Sequence, residues 1–221
     1  MTTAWRFWYY DRQQHRLVSG VPVPQWNPGQ WTQAPPCHLP GRHPDEPPPG
    51  HTCRCGLYAV RDLDHLAGYL ASTRGRTMST WLRRFTALQQ DPALLLKLRA
   101  DAYSITEAEG RRLRTTPTST PGPPHLPDLI GRVEVRGPTH PPRHCAFAGN
   151  LWGGGHKEAD AINPLTTIRA AALRPVEPLY LRPGLAAHAD HIGQPVRLVG
   201  KTDGKWLTAV RNDARQEEQQ A

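Results

Sequence analysis

Ten prolines stand between residues 20 and 52, at positions 22, 24, 28, 35, 36, 40, 44, 47, 48 and 49. Proline has no backbone N–H and a fixed φ, so regular helix and most ladder pairing are closed to this stretch. Order there must come from something other than secondary structure. The sequence offers one means, because Cys37, His38, His43, His51, Cys53 and Cys55 put six soft or borderline ligands into nineteen positions. A structural zinc takes four such ligands in a tetrahedron, and its binding energy is folding energy. Cys37, Cys53 and Cys55 with His51 or His43, or less directly His38, make a Cys₃His set. Cys53-x-Cys55 is tighter than the two-to-four-residue spacing of standard fingers. The competing reading is that the cysteines are small buried hydrophobes and the histidines polar loop residues.

On either side of this stretch the pattern is regular. Trp5-Arg6-Phe7-Trp8-Tyr9-Tyr10 is aromatic and β-prone, and Arg16-Leu17-Val18 follows after a polar turn, which predicts a β-hairpin. Leu63, Leu66, Ala67 and Leu70 fall at i, i+3, i+4 and i+7, the stripe of a short helix. Further helices are expected around Trp81–Leu88, after Asp91-Pro92 through Ala93–Leu98, and over Thr106–Leu113 with capping-box spacing from Ser104 to Glu107. Residues 114–128 are rich in proline and threonine, the composition of a linker. Beyond it, Ile130–Val135, Thr167–Leu173, Pro178–Leu181, Pro195–Val199 and Lys205–Val210 read as strands. Asp203-Gly204 is taken as the hairpin turn between the last two. The expected fold is α+β: β-rich parts at 1–60 and 129–212 able to form one domain, a helical segment at 61–113, a linker at 114–128, and a polar tail at 213–221.

The net charge of +8 raises the question of nucleic acid, but the excess of cations is only two over residues 1–60, three over 61–113, two over 114–143 and one over 144–221. No segment is a basic block. Only Lys97, Lys157, Lys201 and Lys205 among the 27 cations are lysines, an arginine bias that a GC-rich coding sequence produces without selection for function. Diffuse charge of this kind gives weak, salt-sensitive contact with any polyanion. No stretch approaches the roughly 20 apolar residues that span a bilayer, and the first residues lack a signal-peptide pattern. No membrane association and a cytoplasmic location are therefore expected, with thiols reduced or on metal.

Enzyme signatures are incomplete. His140, His144, Cys145 and His156 form a second group of ligands, with Glu158 and Asp160 close behind, and either group could complete the other's site. His156-Lys157-Glu158 has the His-x-Glu of zinc deaminases, yet no cysteine follows Cys145 to supply the rest. Asn150–His156 is glycine-rich without the Gly-Lys-Ser/Thr ending of a P-loop, and Gly-x-Ser-x-Gly and His-Glu-x-x-His do not occur.

Trp26-Asn27-Pro28-Gly29, Ala34, Cys37 and Pro49-Gly50-His51-Thr52-Cys53-Arg54-Cys55-Gly56-Leu57-Tyr58-Ala59 together resemble the pattern W-x-P-G…A-x-x-C…P-G-x-x-C-x-C-G-I/L-Y-A of an actinobacterial protein family. Gly131–Gly137, Ile168–Ala172 and Ile192–Val196 are similar to later blocks of that family, with Arg136 where it has tryptophan and Ala171 where it has an acid. The resemblance implies that the two ends of the chain belong to one fold and implies no particular reaction.

The expected function is a non-enzymatic interaction module stabilised by metal, most simply zinc. Its partner would be a protein or a nucleic acid, and Trp26 and Trp31 are the candidate exposed contacts. The alternative is a hydrolase-like metal enzyme with an open Cys/His site and Glu158 or Asp160 as general base.

Overall fold

The computed structural model describes residues 2–12, 15–18, 26–27, 29–34, 48–49, 56–71, 126–140, 167–176 and 178–220. Its elements in chain order are β1 (Thr2–Asp11), β2 (Arg16–Val18), β3 (Thr32–Gln33), β4 (Leu57–Val60), α1 (Leu63–Ala71), β5 (Leu129–His140), β6 (Thr167–Pro175) and β7 (Leu179–Leu181). They are followed by a 3₁₀ helix (Pro183–His191), β8 (Val196–Leu198) and α2 (Asp203–Gln220). The chain is α+β, and one sheet takes strands from both ends of the sequence.

Strands β1, β4, β6 and β5 close on one another into a small barrel. β1 runs antiparallel to β5 from Thr2↔Val135 to Trp8↔Leu129 and touches β4 at Trp5↔Val60. β6 then pairs with β4 on one edge and β5 on the other. Closure removes the open edges that four such strands would otherwise leave. A bulge in β5 between Arg136 and Thr139 bends it as it passes β6. β7 continues the line of β6 along β5, β8 lies parallel to β7, and β2 folds back on β1 as the expected hairpin.

The barrel separates two apolar clusters. Its interior takes Ala4, Trp8, Leu57, Ala59, Leu129, Val133, Ile168 and Leu173, with Leu185 and Ile192 from and after the 3₁₀ helix. Trp5, Ile130 and Tyr180 face outward and are covered by Leu63, Leu66 and Leu70 of α1 and by Trp206, Val210 and Ala214 of α2. β1 therefore alternates between the two clusters with the period of a strand buried on both sides. Asp62 starts α1, its Oδ1 accepting from the backbone N–H groups of Asp64 and His65 at 2.6 and 3.2 Å.

Three expectations are corrected. Lys205–Val210 is not a strand after an Asp-Gly hairpin, because Asp203–Gln220 is one helix. Trp206, Val210 and Ala214 recur every fourth residue and supply the buried stripe, which a six-residue window cannot display. Residues 213–220, expected as a polar tail, are accordingly part of α2. Glu217 meets Arg132 at 2.7 Å and Arg197 at 2.5 Å, and Asp213 meets Arg197 at 2.6 Å. Leu126–Asp128, assigned by composition to the linker, is buried, and the Asp128 N–H donates to the Trp8 carbonyl at 3.0 Å. The helices expected over 81–113 lie outside the described residues.

A candidate ligand neck and a histidine cluster

The six candidate ligands from Cys37 to Cys55 lie outside the described residues, as do His144, Cys145, His156, Glu158 and Asp160, while His140 ends β5. What is described is the frame that carries the first group. Gln33 of β3 pairs with Ala172, the Ala34 N–H donates to the Ala171 carbonyl at 2.7 Å, and Leu57 of β4 pairs with Ala170. The chain thus leaves β6 at residue 34 and returns to it at residue 57, opposite the successive residues Ala171 and Ala170, one rise of about 3.3 Å along the strand.

Gly56 draws this neck tighter. Its φ is +116°, in the half of the map that favours glycine. A Cβ there would stand 2.8 Å from Pro49 Cβ and 3.4 Å from the Ala170 carbonyl oxygen. Pro49 is therefore packed against Gly56, and His51, Cys53 and Cys55 belong to a six-residue connection whose two flanks touch. Cys37 follows the third anchor, Ala34, by three residues. Among the described residues no three of His, Cys, Asp and Glu are grouped to hold a metal.

Of the two tryptophans expected as exposed contacts, Trp26 is buried at 1% exposure. A bridge to Leu17 carries it inward, where its indole meets Trp8 edge-on at 5.6 Å and lies beneath the Arg6 guanidinium at 4.6 Å. It belongs to the core because the bridge to Leu17 of β2 sets it beside Trp8. Trp31 is half-buried immediately before β3, with the guanidinium carbons of Arg136 and Arg174 at 5.7 and 5.1 Å from its ring centroid. Arg174 Nε also donates to Glu134 at 2.6 Å, whereas Arg136 is exposed. The face beside the neck thus offers an aromatic ring set between two cations.

A second cluster was not anticipated. The β1–β2 turn brings Arg12 and His15 against His188 and His191 of the 3₁₀ helix, around the hydroxyl of buried Tyr10. Tyr10 Oη and His15 Nδ1 share a hydrogen bond at 2.7 Å, and the His191 carbonyl is 3.5 Å from the same hydroxyl. The His15 and His191 rings are 4.9 Å apart, and His188 lies 5.8 Å from Tyr10 and 6.5 Å from His191. His15 holds φ at +48°, a conformation histidine tolerates better than most residues.

Burial, the Arg12 charge and the two neighbouring imidazoles hold His188 below the usual histidine range. Burial likewise raises the Tyr10 phenol. The signal in the sequence is His188-x-x-His191, since residues three apart eclipse on a 3₁₀ helix. His15 joins them only through the tertiary fold.

Comparison with protein-family models, with curated proteins and with solved structures finds no match to any of them.

Proposed function

We propose that this chain is a non-enzymatic interaction module whose Cys/His segment is stabilised by zinc. Cys37, Cys53 and Cys55 with His51 or His43 hold the ion, and the neighbouring Trp31, Arg136 and Arg174 face the partner. The carrying observation is the neck: Ala34 bound to Ala171, Pro49 packed against Gly56, and Leu57 paired with Ala170. These contacts fix the flanks of the ligand segment on one strand before any metal arrives. Much of the chain-closure entropy of a four-ligand site is thereby met by the sheet. The donor set suits the ion, three thiolates and an imidazole being a common closed zinc shell. Such a shell supplies cross-linking and no open coordination position.

A partner carrying phosphates would meet Arg136 and Arg174, and a stacked base or apolar side chain would meet Trp31. Salt decides between nucleic acid and protein. Phosphate contacts make affinity fall steeply with salt, and a protein partner on this face gives a shallower slope.

The test is elemental analysis of purified protein and of Cys53→Ser, with thermal melts of both. About one zinc per chain, lost in the variant together with thermal stability, is the expected result. Metal-free protein that melts like Cys53→Ser would refute the zinc assignment. Metal that a chelator strips without unfolding the chain would point instead to an open, enzyme-like site.

A further inference from the structure

Independently of the zinc reading, we infer that Arg12, His15, His188 and His191 form a binding site for a phosphate monoester group between the β1–β2 turn and the 3₁₀ helix. Four side chains able to carry positive charge converge from two elements far apart in sequence, the β1–β2 turn and the 3₁₀ helix. No carboxylate among the described residues forms an ion pair with any of them, whereas Arg132, Arg174, Arg182, Arg197, Arg211 and Arg215 each meet one. Arg12 Nε is buried and makes no hydrogen bond. A guanidinium left in this way retains both charge and donors for an anion.

The imidazoles fit the same ligand. In the imidazolium form, His15 Nδ1–H donates to the Tyr10 hydroxyl and Nε2–H is left to donate outward. His15 and His191 are exposed and His188 is half-buried, so the cluster can be reached from solvent. The charged and titratable groups bordering it are Tyr10, Asp11, Arg12 and His15 on the hairpin, with His188, Asp190 and His191 on the 3₁₀ helix. The two carboxylates do not cancel the cluster: Asp11 acts on Tyr10, and Asp190 is exposed on the helix between the histidines. A dianion seated among the rings would relieve the repulsion that His188 experiences from Arg12, His191 and His15.

The experiment follows the three imidazoles by NMR across a pH titration, in chloride and then with saturating inorganic phosphate at matched ionic strength. Phosphate should hold the three imidazoles in the charged form to higher pH than chloride does, the direction expected for partly exposed ion pairs. Imidazole protonation favours binding as pH falls, and the second ionisation of the phosphate, at about pH 6 in a monoester, favours it as pH rises, so affinity should pass through a maximum near neutral pH. Arg12→Gln should weaken binding several-fold without lowering the melting temperature, because the Nε it removes is a buried donor that makes no hydrogen bond.

Unchanged imidazole pKa values, or binding that ignores Arg12→Gln, would overturn the inference. Two further arms identify the ligand. An oligonucleotide with a 5′-phosphate should shift the histidines and the same strand without it should not; equal shifts would mean that the site reads phosphodiesters, and the monoester assignment fails. Tight Zn²⁺ binding that displaces phosphate would make the cluster a cation site and also overturn it.

Discussion

Arg182 Nη2 donates to Asp128 Oδ1 at 2.9 Å, and neither side chain has any solvent exposure. The two residues stand 54 positions apart, one at the end of β7 and the other just ahead of β5. Asp128 also accepts from the Tyr10 N–H at 3.0 Å, and Arg182 Nη1 reaches Asp203 at 2.5 Å. Asp203 in turn takes the Gly184 N–H at 3.0 Å. One buried ion pair thus ties β1, β5, β7, the 3₁₀ helix and α2 together.

Removing Arg182 takes away the cation that faces fully buried Asp128, so Arg182→Met should cost about 3–5 kcal/mol; Asp128→Asn should cost less, because Arg182 keeps Asp203. Replacing both with apolar residues should recover much of the loss. Urea denaturation of the singles and the double reads this, and strictly additive losses would mean that the pair is not a coupled unit.

Gly131 is required by contact rather than by dihedral angle. A Cβ there would overlap Leu179 Cδ2 and stand 3.5 Å from Trp8 Cζ3 in the barrel interior. Gly131→Ala should destabilise by about 1–3 kcal/mol through overpacking. Leu179→Ala in the same chain should return part of that stability by making room. Melting temperatures of the two singles and the double give the coupling.

Arg6 is buried over Trp26 and donates to the Tyr58 carbonyl. Burial lowers its pKa to about 9. The folded state thus holds this proton less tightly than the unfolded chain, so Arg6 opposes folding at neutral pH, and its penalty fades as pH rises through about 9. Arg6→Met should be at least as stable as the parent at pH 7, with the advantage shrinking toward alkaline pH. A variant that is less stable at neutral pH would show that the cation–π contact and the carbonyl bond outweigh desolvation.

Asp64 joins α1 to α2 through Arg211 Nε at 2.6 Å and through Arg215. The hydrogen bonds from those two arginines hold its carboxyl below the usual range. The resulting stability is present above the ordinary carboxylate pKa and is lost as pH falls through the lowered one. Asp64 is too exposed for a large effect, so Asp64→Asn should cost under about 1 kcal/mol, and less in high salt. Equal melting temperatures of variant and parent at low salt would dismiss the bridge.

The local elements were largely legible. The β1–β2 hairpin, α1, and the strands at β5, β6, β7 and β8 all follow from short-range pattern, because alternation and helical spacing are set within a few residues. α2 was missed because its buried stripe, Trp206, Val210 and Ala214, spans three turns while its first half mimics a strand after Asp203-Gly204. The ligands of the proline-rich stretch were visible as residue types; the neck of Ala34, Pro49 and Gly56 that flanks them was not, since it depends on β6 more than a hundred residues later.

By itself, then, the sequence determined the β1–β2 hairpin, α1 and strands β5 to β8, and which residues carry metal-ligand chemistry, because those properties reside in side-chain type and near-neighbour spacing. Only the tertiary structure decided that Trp26 enters the core while Trp31 stays at the surface between two arginines. It alone closed β1, β4, β5 and β6 into a barrel, enclosed Arg182 with Asp128, and gathered His15 with His188 and His191. Each of those outcomes depends on strand pairings between distant parts of the chain, whose register is fixed by what the barrel can bury on both faces.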